Sequence, residues 1–268
     1  MLQALACAVG IALAFLVVIY VGIDGRQRNE PSVAKLRCVR VLLLSLITPV
    51  FVYFVHDASF YSVSFRELLG IRADGLLPAS VLPLALTMLF YLAPIVTHFV
   101  LDRYYTLLIE PHFWKESLTD PLWVRDHICA PFVEEVCFRA CLLPLLYPHF
   151  GGLGSAIVGP VLFGLCHLHH VVERVPRFGL LNAVKVTASQ LLVTTLFGIY
   201  TSFLFLRTGH ILPCILVHAF CNYMGVPQLP AAERSWLWLL YAFGIAGWCF
   251  LLRPLTDPDL YSNSIFIN

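Results

Sequence analysis

Long apolar runs dominate this chain and leave it few possible folds. Segments of about 17 to 25 mostly apolar residues lie near 2 to 23, 39 to 57, 78 to 101, 128 to 148, 152 to 172, 186 to 207, 209 to 226 and 235 to 252. Hydrocarbon offers no water to satisfy peptide groups, so a crossing segment is a helix or part of a closed barrel. These runs lack the period-two alternation of barrel strands. The sequence therefore predicts an all-α polytopic membrane protein with about eight transmembrane helices. Charged residues make up only 12% of the chain, against about 25% in an ordinary soluble domain. A formal net charge of +1 gives no reason to expect a nucleic-acid partner. No Gly/Ser linker, repeat or low-complexity block interrupts the pattern, so a single transmembrane domain over residues 1 to 268 is expected.

The first run, "LQALACAVGIALAFLVVIYVGI", has no positive residue before it and no small-residue cleavage site after it, so it reads as a retained span rather than a signal peptide. Most of the nine cysteines lie in or beside apolar runs, where they read as small buried hydrophobes; no disulfide framework is expected. Of the 17 lysines and arginines, twelve fall in the first, third, fifth and seventh loops: Arg26, Arg28, Lys35, Arg37, Arg40, Arg103, Lys115, Arg125, Arg174, Arg177, Lys185 and Arg234. Arg66, Arg72, Arg207 and Arg253 fall on the other side. The positive-inside rule then places those odd-numbered loops in the cytosol and both termini on the opposite side.

Against this apolar background, "APFVEEVCFRACLLPLL" places Glu134, Glu135 and Arg139 within one and a half turns. A charge at the bilayer centre costs roughly 2.5 to 3.5 kcal/mol on insertion scales, so three together must be partnered, shielded or useful. "FGLCHLHH" adds His167 on the fifth run, and "CILVHAFCNYMG" adds His218 and Asn222, one turn apart on the seventh. With the predicted topology, Glu134 starts the fourth span from the cytosol, while His167, His218 and Asn222 end spans that run toward it. All four then share one level on the cytosolic side of the midplane. Glu135 and Arg139 are spaced for an internal ion pair, and Glu134, rotated by about 100°, faces a different neighbour.

A carboxylate, two imidazoles and a carboxamide suit hydrolysis by water. Glu134, with His167 beside it, could hold a water and take its proton; His218 and Asn222 could donate to an oxyanion. Glu135 and Arg139 would hold the glutamate helix, a role that is equally satisfied by a purely structural ion pair. His169 and His170 read as interfacial. His167, His218 and Glu134 could also be zinc ligands, but H-E-x-x-H and Cys-x-x-Cys are both absent, and no metal or other cofactor is expected. Cys137 and Cys141 flank the Glu134 face as alternative nucleophiles, in surroundings that favour inert packing. A transporter or non-catalytic scaffold is the competitor from another class, yet the far halves of spans four, five and seven carry few ionisable residues to continue a path.

"EEVCFR" fits Glu-Glu-x-x-x-Arg, "FGLCH" fits Phe-x-x-x-His and "HAFCN" fits His-x-x-x-Asn, in the order and on the separate helices of the intramembrane CAAX-protease and bacteriocin-processing superfamily. The wider wording, including "HLHHVVE" and "TTLFGIYTSFLFLRTGHILPCILVHAFCNYMGVP", resembles its eukaryotic branch, the Ras-converting type II CAAX endopeptidases, over a catalytic core of about 120 to 228. The resemblance implies an endoplasmic reticulum enzyme, its active site facing the cytosol, that removes the last three residues of prenylated CAAX proteins such as Ras-type small GTPases. By motif position, Glu134 and His167 would activate water, His218 and Asn222 would form the oxyanion hole, and Glu135 and Arg139 would support them. Asp126 and His127 depart from the Asn-Gln usual before the first motif, which bears on local substrate contacts. A lateral opening near the cytosolic leaflet would admit the substrate's lipid from the membrane together with the peptide. Arg125, Arg174 and Arg177 are candidates for binding a C-terminal carboxylate.

Overall fold

A computed structural model describes residues 1 to 22 and 27 to 266, which are mostly helical and contain no strand. Ile23, at the end of the first expected span, and Arg26, one of the loop cations, lie outside the described residues. Among the described residues, Leu2–Tyr20, Pro31–Val55, Pro121–Thr208 and Leu237–Leu255 are long and apolar enough to cross a membrane. A fifth candidate forms if Leu76–Phe90 and Leu92–Leu101, bent by 82° at their junction, count as one broken span. The protein is all-α and multi-pass.

The stretch Pro121–Thr208 runs for 88 residues and covers three of the apolar runs seen in the sequence. Gly151 (φ 63°, ψ −172°) and Gly179 (φ 71°, ψ 163°) leave helical geometry inside it and divide it. Positive φ is cheap for glycine and costly for other residues, so these are the positions where the chain can turn. The Ser155 hydroxyl donates to the Gly151 carbonyl at 2.5 Å, giving one of the carbonyls at the break a partner. Beyond Gly179 the chain folds back: Arg174 hydrogen-bonds to Thr187 at 2.9 Å, although 13 residues of straight helix would hold them about 20 Å apart. The Leu212–Met224 helix, with 13 residues, is about 20 Å long and shorter than a bilayer core.

Two wide π-helical turns, Arg125–Cys129 and Val136–Cys141, flank the short helix Ala130–Glu135. Pro131 and Pro144 follow them closely. A proline has no N–H to give the fourth residue back and its ring crowds that carbonyl, so widening the preceding turn relieves both problems. The result re-aims the glutamates relative to a regular helix.

Helix association in lipid depends on close packing and polar contacts rather than on expelling water. Phe138 lies at the centre, with Phe15 at 5.5 Å and Phe163 at 5.0 Å between ring centres, both edge-on. Small residues bring the helices together. A Cβ at Gly164 would sit 2.1 Å from Thr195 Oγ1, and one at Gly198 would meet Pro160 Cβ at 2.9 Å and Arg139 Nη2 at 3.2 Å. These contacts hold Leu142–Leu165 against His170–Thr208 and place their ends beside the glutamates.

Candidate active site

Glu134 and Glu135 leave the Ala130–Glu135 helix in different directions. Glu135 is fully buried, whereas the Glu134 side chain keeps 18% of its surface and lines a cavity of about 770 Å³. His167, His218 and Asn222 line the same cavity, so the four residues singled out in the sequence share one space although they come from three helical segments.

His218 links the two glutamates. Its Nδ1 lies 2.6 Å from Glu135 Oε1, and its Nε2 lies 3.8 Å from Glu134 Oε2. The first is a hydrogen bond in which Nδ1–H donates to carboxylate; the second lies beyond hydrogen-bond length. Arg139 Nε lies 3.2 Å from the other oxygen of Glu135, and its guanidinium sits 4.5 Å above the Phe163 ring. The Nε approach is close enough for an ion pair but too bent for a hydrogen bond, so Arg139 acts on Glu135 chiefly by charge and on Phe163 by cation–π contact. Glu135 and Arg139 thus bear on a second helix through His218, not only on their own.

His167 is half-buried. Its Nδ1 lies 3.2 Å from the Phe163 carbonyl one turn back and donates to it, which leaves the Nε2 lone pair free. Phe197 packs edge-on against His218 with ring centres 4.8 Å apart. Asn222 donates from Nδ2 to the Asp126 main-chain carbonyl at 2.8 Å and otherwise stands exposed at the cavity mouth. The carboxamide is therefore oriented by the backbone at 126, whatever side chain that position carries. The Asp126 side chain instead holds Arg125 with two contacts of 2.7 and 3.0 Å, and His127 stacks on Trp123 at 4.6 Å.

Cys137 and Cys141 are fully buried and do not line the cavity; Cys137 points to Thr48 on Pro31–Val55 at 3.9 Å. Among the described residues the group with metal-ligand spacing is His169, His170 and Glu173, not the Glu134 set. Its donors are engaged: His170 Nδ1 contacts Glu173 at 2.9 Å, Arg28 donates to His170 Nε2 at 3.3 Å, and the Tyr20 hydroxyl donates to Glu173 at 2.6 Å. With Arg37 also 3.9 Å from Glu173, the charge of this cluster is met by cations of the protein. Sequence spacing left three contributors unseen: Phe197 against His218, Asp126 under Asn222, and the Glu135 to His218 bond. Each joins different elements, and only the paired glutamates hinted that one faces the cavity and the other a buried partner.

Comparison with known proteins follows the same residues. The Rce1-like type II CAAX prenyl endopeptidase model matches residues 117 to 224, which include all six polar positions above. CAAX prenyl protease 2 of Homo sapiens is 38% identical over 267 residues, covering 94% of this chain and 81% of that protein. The protein of the same name from Arabidopsis thaliana is 32% identical, covering 97% of this chain and 92% of its own length. That from Saccharomyces cerevisiae is 30% identical, with 80% of each chain covered.

The chain belongs to the CAAX prenyl protease 2 family. It is a protease, and the relatives extend the resemblance beyond the motif region to most of the chain. No solved structure matches it. For a CAAX prenyl protease 2 family member, the cavity supplies what hydrolysis needs: a carboxylate, an imidazole with a free lone pair, and donors on the facing helix.

Proposed function

We propose that this protein is an intramembrane endopeptidase of the endoplasmic reticulum that removes the aaX tripeptide from prenylated CAAX proteins, Ras-type small GTPases among them, with Glu134 as the general base. One observation carries the reading: Glu134, His167, His218 and Asn222 line a single cavity, with His218 held between the two glutamates. The catalytic core at about 120 to 228 contains these groups, and the active site faces the cytosol, where prenylated tails are presented.

The chemistry follows from the donors and acceptors. Glu134 and the free His167 Nε2 accept the two protons of a water molecule, and Glu134 takes one as the oxygen attacks the carbonyl carbon of the prenylated cysteine. The oxyanion accepts from His218 Nε2–H and from the Asn222 N–H not used on Asp126. Glu134 then passes its proton to the leaving nitrogen, and the C–N bond breaks to give a new cysteine carboxylate and a free tripeptide.

The placement of His218 between the two carboxylates supports its role as an oxyanion donor: Glu135 holds Nδ1–H, and Nε2 is directed toward Glu134 and the cavity. Proton transfer from water to Glu134 moves a negative charge from that carboxylate to the oxyanion, both within reach of the same Nε2.

Val193 and Val226 line the cavity and are also exposed on the protein's surface, at 42% and 63%. These apolar edges fit a lateral entry for an isoprenoid, each buried CH₂ of which contributes about 0.8 kcal/mol. The test is release of tripeptide by the purified protein from a farnesylated CAAX peptide and its unprenylated twin. Cleavage of the first alone supports the reading, and cleavage of neither by a folded protein ends it. Protease accessibility of an epitope beside Arg177 in sealed microsomes tests the orientation: cleavage from outside the vesicles supports a cytosolic site.

A further inference from the structure

The geometry points to Arg174 as the anchor for the free C-terminal carboxylate of the substrate, an inference that rests on the endopeptidase reading above. Four observations lead to it. Arg174 lines the same cavity as Glu134 and His218. Its Nη1 donates to Thr187 Oγ1 at 2.9 Å and its Nη2 to Gln190 Oε1 at 2.7 Å. Both partners are neutral, and no carboxylate pairs with this guanidinium among the described residues. Its remaining N–H groups and its whole charge are therefore available, in an orientation fixed before any ligand arrives.

The other cations differ. Arg125 is neutralised by both oxygens of Asp126, and Arg139 by Glu135. Arg177 is exposed and does not line the cavity. Arg28 does line it, exposed and donating to His170, and adds positive potential at the same end.

The helix His170–Thr208 serves as a ruler between this anchor and the catalytic level. Gln190, which holds Arg174, and Phe197, which packs on His218, are two turns apart, or about 10.5 Å along the axis. Three extended residues span about 10 to 11 Å. A tail whose scissile carbonyl lies at His218 thus brings its terminal carboxylate, three residues on, to Arg174. The cavity would select a free acid at that distance and measure the length of the released peptide.

The test compares farnesylated CAAX peptides ending in a free acid or an amide, on the full-length protein in detergent micelles, as kcat/KM for wild type, R174Q and Gln190→Ala. A charge-assisted pair predicts that wild type favours the acid by about ten- to hundredfold. R174Q brings the ratio close to one, chiefly by raising KM for the acid, and Gln190→Ala lowers the ratio partway. Equal use of acid and amide by wild type, or a ratio unchanged in R174Q, overturns the assignment. An equal fall on both peptides in both variants marks a structural role and overturns it as well. Cleavage of neither peptide by folded wild type instead removes the endopeptidase reading, and the anchor with it.

Discussion

His218 Nδ1 and Glu135 Oε1 lie 2.6 Å apart and join two helices through a hydrogen bond to a carboxylate that has no solvent exposure. This bond fixes which ring nitrogen faces the cavity. It also gives the second glutamate of the pair a setting that differs from the first: Glu135 is buried against the imidazole, while Glu134 lines the cavity.

Glu135→Gln keeps the shape and an oxygen that can accept from Nδ1–H, but removes the negative charge beside the imidazole. The expected result is a fall in kcat of about 10² to 10³, the size associated with losing one oxyanion donor, with KM changed much less. Steady-state kinetics on a farnesylated peptide checks it. A fall confined to KM would place Glu135 in substrate binding.

Asn222 and Asp126 separate side-chain from main-chain roles. Because Asn222 is positioned by the Asp126 carbonyl, Asp126→Asn should leave kcat within a few-fold of wild type, while Asn222→Asp, which cannot donate, should lower it by about 10² or more. The two rates measured side by side decide this. Comparable losses would mean that the Asp126 carboxylate itself takes part.

Gly164→Ala tests the close approach of Leu142–Leu165 to His170–Thr208. The new Cβ would lie 2.1 Å from Thr195 Oγ1 and 3.3 Å from the Leu191 carbonyl oxygen. Overpacking of this kind costs about 1 to 3 kcal/mol. Thr195 Oγ1 is buried without a hydrogen-bond partner in the protein, so Thr195→Ala should cost little alone and restore part of the Gly164→Ala loss. Thermal unfolding of the two single variants and the double variant in detergent gives the coupling; strict additivity would show that the clash is elsewhere.

Cys137→Ala/Cys141→Ala should retain prenyl-dependent cleavage. Both thiols are fully buried away from the cavity, so the double change removes packing atoms and costs about 1 kcal/mol per site without touching the reacting groups. Loss of turnover in a variant with an unchanged unfolding transition would return the thiols to the mechanism.

The apolar runs were legible in the sequence because lipid leaves a crossing chain almost no choice but the helix, and the six polar residues stood out because each is expensive there. The convergence of Glu134, His167, His218 and Asn222 could be inferred from the direction of each span. Pro94, with no N–H for the Phe90 carbonyl, marks the break between Leu76–Phe90 and Leu92–Leu101, but its 82° size was not legible; there the Tyr91 hydroxyl reaches the Gly225 carbonyl at 3.1 Å across the fold. The fold-back beyond Gly179 left Pro176 and Gly179 as its signals, yet it decides which arginine enters the cavity. Pro131 and Pro144 mark the widened turns, but their effect on the aim of Glu134 and Glu135 depends on how the displaced carbonyls are absorbed.

The central claim, a glutamate acting as base in a membrane cavity, is tested most directly by comparing wild type with Glu134→Gln on a farnesylated CAAX peptide, with bound metal quantified in the same samples. The account predicts release of the terminal tripeptide by wild type regardless of metal content, and a loss of at least 10³-fold in kcat on removing this one carboxylate, within the range of about 10² to 10⁴ attributed to general acid–base catalysis. Activity that survives Glu134→Gln within tenfold, or that rises and falls with bound zinc, would contradict it.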